Sequence, residues 1–320
     1  MAKVTVKTRA IVLQSIKYGD SSLVVKMLTE EMGVQSFMVK GVYGKKSKMK
    51  AAFFQNMTLL EIVAEIGGST LGFIKEISLS HYYKSISSDF KKTTILIFIS
   101  ELLSKSIAES EPDTTLFNYV YDSMIWLDEV ESSYADFPII FAMRLSFYLG
   151  FFPNIDTYTE GSCFDLLDGN FKTWSNDIYQ IDAELSEAFY FMCQQSTDFF
   201  QILRFSDSQI QNNSPVLNFL SQRRKESRMM FLSSNVRLCS QPTALFQVFR
   251  FSDSQIQNNS QVFRFSDSQI QNNSQVFRFS DSQILKTRRQ LLEAVATYYK
   301  LHSDNIREIK SLEVLREIMV

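Results

Sequence analysis

Alternating apolar and polar positions fill the first 80 residues and predict short β-strands separated by tight turns. The first three strands are predicted in the runs TRAIVLQSIKYG, SSLVVKMLTEEMG and VQSFMVKGV, with turns at Gly19, Gly33 and Gly41. After a basic loop, two more strands are predicted in MTLLEIVAEI and LGFIKEISLS. The sequence Gly67-Gly68-Ser69 between them is typical of a hairpin turn. Five strands in about 80 residues, with a charged loop in the middle, predict a small OB-fold barrel.

From His81 onward the apolar residues recur at spacings of three and four, which predicts helices. The helical runs are KKTTILIFISELLSKSIAES, TLFNYVYDSMIWLDEV, DFPIIFAMRLSFYLGFF, ILKTRRQLLEAVATYYKLH and SLEVLREIM. Pro112-Asp113 and Pro138 stand where helices are expected to begin. A short run, CFDLLDGNFKTW, predicts instead a hairpin that turns at Asp168-Gly169. The predicted fold class is α+β, with a five-stranded OB-fold barrel over 1–80 and a helical domain over 81–320.

A repeat of 14 residues interrupts the helical region. The sequence FRFSDSQIQNNSQV occupies 249–262 and 263–276, a truncated copy fills 277–284, and the near-copy LRFSDSQIQNNSPV lies at 203–216. Removing 211–284 would join RFSDSQI to LKTRRQLLEA, with Ser280-Asp281-Ser282 available to cap the following helix. We interpret 211–284 as an insert that arose by duplication, and its Asn, Gln and Ser content predicts that it is flexible.

Charge is distributed unevenly along the chain. Residues 1–80 hold eleven Lys and Arg against six Asp and Glu, a net charge of +5, whereas the remainder holds 22 against 29, a net of −7. A basic N-terminal part on an acidic body indicates contact with a polyanion. An uneven scatter of solvated charges is the alternative.

The sequence predicts neither a membrane helix nor a secreted protein. It contains no run of about 18 apolar residues, and its start lacks a basic end followed by a long apolar stretch. Three scattered cysteines, Cys163, Cys193 and Cys239, argue against a disulfide framework and against a zinc site of the C-x-x-C type. These features favour a cytoplasmic protein.

The residue types that enzymes need are sparse. The two histidines, His81 and His302, lie in the aromatic runs HYY and YYKLH, where packing or hydrogen bonding is favoured over catalysis. The loop GVYGKKSK has the wrong glycine spacing for a Walker A element, and no G-x-S-x-G motif is present. Asp165 and Asp168 lie on the predicted hairpin, where turn-forming Asp is expected in any case. We predict that the protein is not an enzyme; a nuclease or ligase-like activity stays an alternative without a visible site.

A basic loop after the third strand is the most informative segment for function. Its lysines, which fall within eleven residues and have no acidic neighbour, are Lys40, Lys45, Lys46, Lys48 and Lys50. Lysines neutralise backbone phosphates regardless of base sequence, and aromatic side chains stack on unpaired bases. Tyr43 is the aromatic that we expect to be exposed, since Phe53 and Phe54 are expected to be partly buried.

Together with residues of the barrel strands, this loop predicts a nucleic-acid interface. The predicted DNA-binding residues are Arg9, Lys17, Lys26, Lys40, Tyr43, Lys45, Lys46, Lys48 and Lys50. The alternative is a solvated loop without a ligand. In that case the barrel is an adaptor that binds protein partners and has no direct role on DNA.

Several motifs, taken in order, resemble a known bacterial family. The N-terminal run combines a strand bearing Arg, a Tyr-Gly-Asp turn, Thr29-Glu30-Glu31, Gly33 and the Lys-Gly basic loop. SFYLGFFPN ends a predicted central helix, and the C-terminal region contains YYKLH and KSLEVL. In this order they resemble the RecO family of recombination mediators, over roughly 1–210 and 285–320.

The resemblance implies a function on DNA. It implies an OB-fold followed by a helical domain, binding of single- and double-stranded DNA, and annealing of complementary strands. It also implies partnership with RecR and with single-stranded DNA-binding protein, so that RecA can assemble on the strand. The expected location is the cytoplasm, in association with the nucleoid.

Two further expectations come from the same resemblance. CFDLLDGNF occupies the place where some members carry a four-cysteine zinc ribbon. Only Cys163 stands there, so we expect a degenerate ribbon-like hairpin within 151–180, no metal and no cofactor. In some relatives the acidic tail of single-stranded DNA-binding protein docks on the helical domain. By position the contact residues here would be Met143, Arg144, Leu145 and Phe147, with Arg144 meeting the terminal carboxylate. Alternatively, three of these four are ordinary core residues.

Overall fold

In the computed structural model, which describes residues 4–43, 51–67, 71–107, 111–132, 134–207 and 281–318, the N-terminal strands close into a barrel. The strands are β1 (Val4–Tyr18), β2 (Ser22–Thr29), β3 (Gly33–Val39), β4 (Leu59–Ile66) and β5 (Leu71–Leu79). Their order is β1-β2-β3-β5-β4, and the pairing of β4 with β1 closes the barrel. The pairing of β3 with β5 is parallel, and the other pairings are antiparallel. The predicted five-stranded OB-fold barrel is confirmed.

Alternate strand residues face two different apolar cores, as the period of two in the sequence requires. Val12, Val25 and Phe37 point into the barrel and are fully buried there. Ile11 and Leu28 point outward and join the core formed by the helices. The barrel is therefore attached to the rest of the molecule through one side of its outer surface.

The predicted helices follow the barrel. They are α1 (Phe90–Ser106), α2 (Thr114–Glu129), α3 (Phe137–Tyr148), α4 (Ala183–Asp207), α5 (Asp281–His302) and α6 (Ser311–Ile318). The side chain of Asp89 caps the first turn of α1, and that of Asp113 caps α2, each by accepting two backbone N–H groups. Pro138 lies in the first turn of α3, where its missing N–H costs no hydrogen bond. The α+β fold class is confirmed.

Helix α4 was not predicted from the sequence, although a signal for it exists. Leu185, Phe189, Met192 and Cys193 recur at helical spacing and are buried. The carboxylate of Asp182 accepts the N–H of Leu185 at 2.8 Å, which is the geometry of an N-cap. The end of α4 includes the first residues of the near-copy that begins at 203, so the helix runs on into the repeat sequence.

The predicted hairpin consists of β6 (Cys163–Asp165) and β7 (Asn170–Lys172). The carboxylate of Asp165 accepts the backbone N–H groups of Leu167 and Asp168, and Lys172 donates to both aspartates. Burial alone would raise the pKa of Asp165, but these hydrogen bonds hold it below its ordinary value. Both aspartates thus form the turn, as predicted.

The C-terminal YYKLH motif fixes α5 onto the rest of the helical core. The Tyr298 hydroxyl donates to the Phe151 carbonyl at 2.7 Å, and the Tyr299 hydroxyl donates to the Ala142 carbonyl at 2.6 Å. His302 lies 2.9 Å from the Leu166 carbonyl and stacks on the Phe151 ring. These aromatic residues therefore satisfy their polar ends inside the core, as buried Tyr and His must.

Among the predictions of secondary structure, those that lie outside the described residues are the structure of the repeats up to residue 280, the turn at Gly68-Ser69, and the cap that involves Ser280. The last four residues of the proposed insert 211–284 are helical, since α5 begins at Asp281. Among the helices that are described, none combines the length and the apolar character needed to span a membrane.

Candidate nucleic-acid interface

One end of the barrel presents a lysine and a tyrosine side by side. Gly41, with φ of +69°, turns the chain after β3, and the Val42 N–H donates to the Ser21 carbonyl at 2.8 Å. This turn places Tyr43, 52% exposed, against the end of β1. There the Nζ atom of Lys17 lies 5.8 Å from the centroid of the Tyr43 ring. A cation and a stacking surface thus occupy the same rim.

Lys40 directly follows β3 at the same end of the barrel and is exposed. Its Nζ atom lies 5.7 Å from the centroid of the Phe73 ring on β5. Phe73 and the exposed Tyr18 were not predicted as site residues. The signal for Phe73 was the alternation in LGFIKEI, which puts Phe73 on the polar side of its strand. The remaining predicted lysines, Lys45, Lys46, Lys48 and Lys50, lie outside the described residues.

Arg9 lies towards the other end of the barrel and bridges it to α2. Its guanidinium donates to both carboxylate oxygens of Glu30, at 2.8 and 2.6 Å, and to Asn118 Oδ1 at 2.8 Å. It also lies 5.3 Å from the ring centroid of Phe117 and 4.8 Å from that of Tyr121. The hydrogen bond with Glu30 raises the pKa of Arg9 and lowers that of Glu30.

Lys26 also faces the helical side of the barrel. It is half-buried, and its Nζ donates to the Ile107 carbonyl at the end of α1, at 3.4 Å. The structure therefore brings Lys17, Lys40 and Tyr43 to one end of the barrel and separates them from Arg9 and Lys26.

The residues predicted to hold the tail of single-stranded DNA-binding protein lie on α3. Met143 and Leu145 have no exposed side-chain area, and Arg144 is only 8% exposed. The alternative that the sequence left open was that three of the four are ordinary core residues. Phe147 is 51% exposed, and the guanidinium of Arg144 lies 4.3 Å from its ring centroid. Phe152 packs edge-on against the other side of Phe147. An apolar surface beside a cation is thus present at this position.

The two cysteines in the described part of the chain offer little reactivity. Burial raises the pKa of both the Cys163 and the Cys193 thiol, which disfavours the thiolate that metals and electrophiles need. Within the described ranges, no three His, Cys, Asp or Glu side chains are grouped so that they could hold a metal ion.

Known proteins match the first two thirds of the chain. The family model "Recombination protein O N terminal" matches residues 1–83, and "Recombination protein O C terminal" matches 87–209. The DNA repair protein RecO of Bacteroides fragilis is 40% identical over 183 residues, which is 57% of this chain and 76% of that protein. The chain belongs to the RecO family.

Two other RecO proteins have a similar identity to the chain and cover a similar part of it. That of Christiangramia forsetii is 35% identical over 181 residues, 56% of this chain and 75% of its own length. That of Flavobacterium psychrophilum is 39% identical over 169 residues, 52% of this chain and 70% of its own length. The C-terminal RecO model ends at residue 209, ahead of the repeat-containing segment 211–284.

Proposed function

We propose that this RecO protein is a recombination mediator. It binds single- and double-stranded DNA, anneals complementary strands and helps RecA assemble on DNA coated with single-stranded DNA-binding protein. The observation that carries the proposal is the cluster of Lys17, Lys40 and Tyr43 at one end of an OB-fold barrel, on the segment with net charge +5. The family membership and the printed names of the relatives, which are DNA repair proteins, support it.

The mechanism is physical rather than covalent. Lysine ammonium groups neutralise phosphates on two strands and reduce their mutual repulsion, while exposed aromatic rings hold unpaired bases. Contacts of this kind do not depend on base sequence, so the strands slide until complementary bases pair. The protein needs no nucleophile, metal or cofactor for this task.

Partner contacts complete the proposal. Phe147 supplies an exposed apolar surface, and Arg144, which is mostly buried, places a positive charge directly beneath its ring. This combination suits the acidic, apolar tail of single-stranded DNA-binding protein, whose terminal carboxylate would meet Arg144. RecR is proposed as the second partner on the strength of the family alone. The proposed location of the protein is the cytoplasm, in association with the nucleoid.

The test follows the annealing of complementary oligonucleotides that are coated with single-stranded DNA-binding protein, without nucleotide or added metal. We expect the wild-type chain to accelerate annealing and the double variant Lys17→Ala/Lys40→Ala to lose most of that acceleration. The slope of log K against log[salt] for single-stranded DNA should become shallower by roughly 1.4, since each lost phosphate contact removes about 0.7. Lys300→Ala, an exposed lysine on α5, is the matched control and should change neither quantity.

A second experiment repeats the annealing assay with single-stranded DNA-binding protein that lacks its C-terminal tail. If the tail docks on α3, the wild-type chain should then accelerate annealing only as much as the Phe147→Ala variant does with the intact single-stranded DNA-binding protein. A folded wild-type chain that neither binds DNA at low salt nor accelerates annealing would contradict the mediator function.

A further inference from the structure

Four neighbouring strands each place one apolar residue in a row on the outside of the barrel. Ile16 of β1 pairs with Val24 of β2, Val24 pairs with Met38 of β3, and Met38 pairs with Phe73 of β5. Residues that pair directly across strands lie on the same face of a sheet. The alternate positions of these strands fill the barrel interior, so this row faces outward. We call these four residues the outer stripe.

The outer stripe differs from the other outward-facing apolar row of the barrel. That row is formed by Leu59, Ile11, Leu28 and Val34, which also pair across strands, and the helices bury it.

The outer stripe belongs to neither apolar core of the described residues. Ile16 is 55% exposed and Phe73 is 38% exposed, while Val24 and Met38 are half-buried. A contiguous apolar surface of this kind on a folded protein is typical of a binding site.

Positive charge borders the outer stripe and indicates what binds there. Lys40 lies over the Phe73 ring. Lys40, Phe73 and Met38 all line a groove of about 390 Å³. Beyond Phe73 the strand pairing continues to Glu65, whose carboxylate forms an ion pair with Lys75 at 2.9 Å. An apolar surface flanked by lysines, with its neighbouring carboxylate neutralised, complements a polyanion that also carries apolar faces. Single-stranded nucleic acid has this chemistry.

We propose that the outer stripe binds the unpaired bases of single-stranded DNA while Lys40 and the rim lysine Lys17 hold its phosphates. This inference rests on the proposed mediator function and adds strand selectivity to it. Three strand spacings of about 4.8 Å make the stripe about 14 Å long. At the 3.4 Å spacing that stacked bases have in a duplex, this length corresponds to about four bases.

Binding of bases by the outer stripe favours release of the annealed product. Bases in a duplex are paired and stacked inside the helix, so they cannot reach an apolar surface of the protein. When two bound strands pair, each base leaves the stripe and the product is held through phosphates alone. The protein therefore binds the product more weakly than the substrate strand, which favours release.

The test compares three fluorescent probes of equal length, about 20 nucleotides, which exceeds the site size of one OB-fold. The probes are oligo-dT, an abasic oligodeoxynucleotide that has phosphates but no bases, and a duplex. The full-length variants are Phe73→Ala, Phe73→Trp and the control Trp174→Ala. Trp174 is an exposed aromatic residue in an acidic part of the chain. Residues 151–190 contain eight Asp and Glu and only one Lys.

We expect the wild type to bind oligo-dT more tightly than the abasic probe. Phe73→Ala should lose about tenfold in affinity for oligo-dT, the scale of one base-stacking contact, and should keep its affinity for the other two probes. Phe73→Trp should restore the preference, and its fluorescence should be quenched by oligo-dT and not by the abasic probe. Trp174→Ala should behave as the wild type.

Other outcomes overturn the inference in distinguishable ways. A folded Phe73→Ala variant that loses affinity equally for all three probes, or for none, removes the outer stripe from base binding. Equal wild-type affinity for oligo-dT and the abasic probe would overturn the stripe and leave the mediator function intact. Failure of the wild type to bind any probe at low salt would overturn the mediator function itself.

Discussion

At the scale of single residues, Gly72 shows how the barrel interior constrains one strand position. The ring of Phe37 is fully buried, and Phe37 pairs directly with Gly72 in the parallel ladder. A Cβ atom at position 72 would lie 2.8 and 2.9 Å from two carbon atoms of that ring. This is closer than the separation of about 3.5–4.0 Å at which carbon atoms attract each other. Glycine is required here because the ring occupies the space of a side chain.

Gly72→Ala should therefore lower the free energy of unfolding by about 1–3 kcal/mol, the usual cost of overpacking a core. The measurement is urea-induced unfolding of the full-length chain. The double variant Gly72→Ala/Phe37→Leu tests the cause, since a smaller side chain at position 37 gives the new methyl group room. The alanine should cost less in the Phe37→Leu background than in the wild type. An equal cost in both backgrounds would refute the steric explanation.

Arg9 illustrates a role that residue type alone does not reveal. As one of eleven basic residues in the N-terminal segment, it was predicted to contact DNA. In the folded chain its guanidinium already has three acceptor atoms and two aromatic neighbours, and it joins the barrel to α2. Its planar fork suits this bidentate and stacked environment, which a lysine would not reproduce. A DNA contact by Arg9 stays a prediction, and it would have to compete with these partners.

At the scale of elements, one buried carboxylate fixes the connection between the barrel and the helices. Asp128, near the end of α2, accepts the backbone N–H groups of Lys84, Ser85 and Ile86 and a hydrogen bond from His81. Its side chain is 1% exposed. Burial would raise the pKa of this carboxyl, but the hydrogen bonds outweigh burial and lower it from 3.8 to about 2.

The sign of the pH effect follows from that shift. Because the folded pKa lies below the unfolded one, Asp128 contributes its full stabilisation above about pH 4 and loses it as the pH falls towards 2. This stabilisation of the folded state amounts to roughly 2 kcal/mol, because each unit of difference between the folded and unfolded pKa corresponds to about 1.4 kcal/mol. Glu101 behaves similarly, with a pKa of about 2, because it accepts hydrogen bonds from Lys105 and from the start of α6. Both carboxylates therefore make the fold sensitive to acid.

Asp128→Asn should lower the free energy of unfolding at pH 7 by about 2–4 kcal/mol, since an amide NH₂ cannot accept the backbone N–H groups that converge on this site. The gap between variant and wild type should narrow as the pH approaches 2, where the wild type loses its own carboxylate. Urea unfolding between pH 2 and 7 measures both effects. Glu129→Gln, an exposed neighbour on the same helix, is the control and should change stability little. A gap that is constant with pH would show that the Asp128 charge is not the cause.

At the scale of the whole molecule, the repeat-containing segment interrupts a helical core whose flanking parts are complete. Helix α4 ends at Asp207 and α5 begins at Asp281, so the last four residues of 211–284 already belong to α5. On the far side of the segment, Tyr298 and Tyr299 bind back to residues that precede α4. These two core contacts are therefore made between residues that lie outside 211–284. Our interpretation of this segment as a duplication-born insert stays a prediction.

Deletion of 211–284 should leave a folded chain with a free energy of unfolding at least equal to that of the full-length protein, because a shorter loop costs less entropy to close. The deletion joins Ile210 to Leu285. Annealing of DNA coated with single-stranded DNA-binding protein should be retained or faster. Circular dichroism, urea unfolding and the annealing assay measure these properties. Loss of the folded state on deletion would show that the segment belongs to the helical domain.

Much of the fold was determined by local sequence. Period-two alternation, with turns at Gly19, Gly33 and Gly41, specified the first three strands, because successive side chains of a strand point to opposite faces. Helix starts at Asp89 and Asp113 follow from local hydrogen bonds between a side chain and the next turn. The clustering of lysines around residue 45 was likewise readable, since charge needs no partner to be recognised.

What the tertiary structure decided is which of these residues share a surface. The pairing of β1 with β2, of β2 with β3 and of β3 with β5 aligns Ile16, Val24, Met38 and Phe73, although they come from positions up to 57 residues apart. Helix packing buries Met143 and Leu145 and leaves Phe147 exposed, because that choice depends on the neighbours of α3 rather than on its own sequence. Strand order and helix contacts are made between distant parts of the chain, so a local pattern could predict the elements but not the surfaces that they form together.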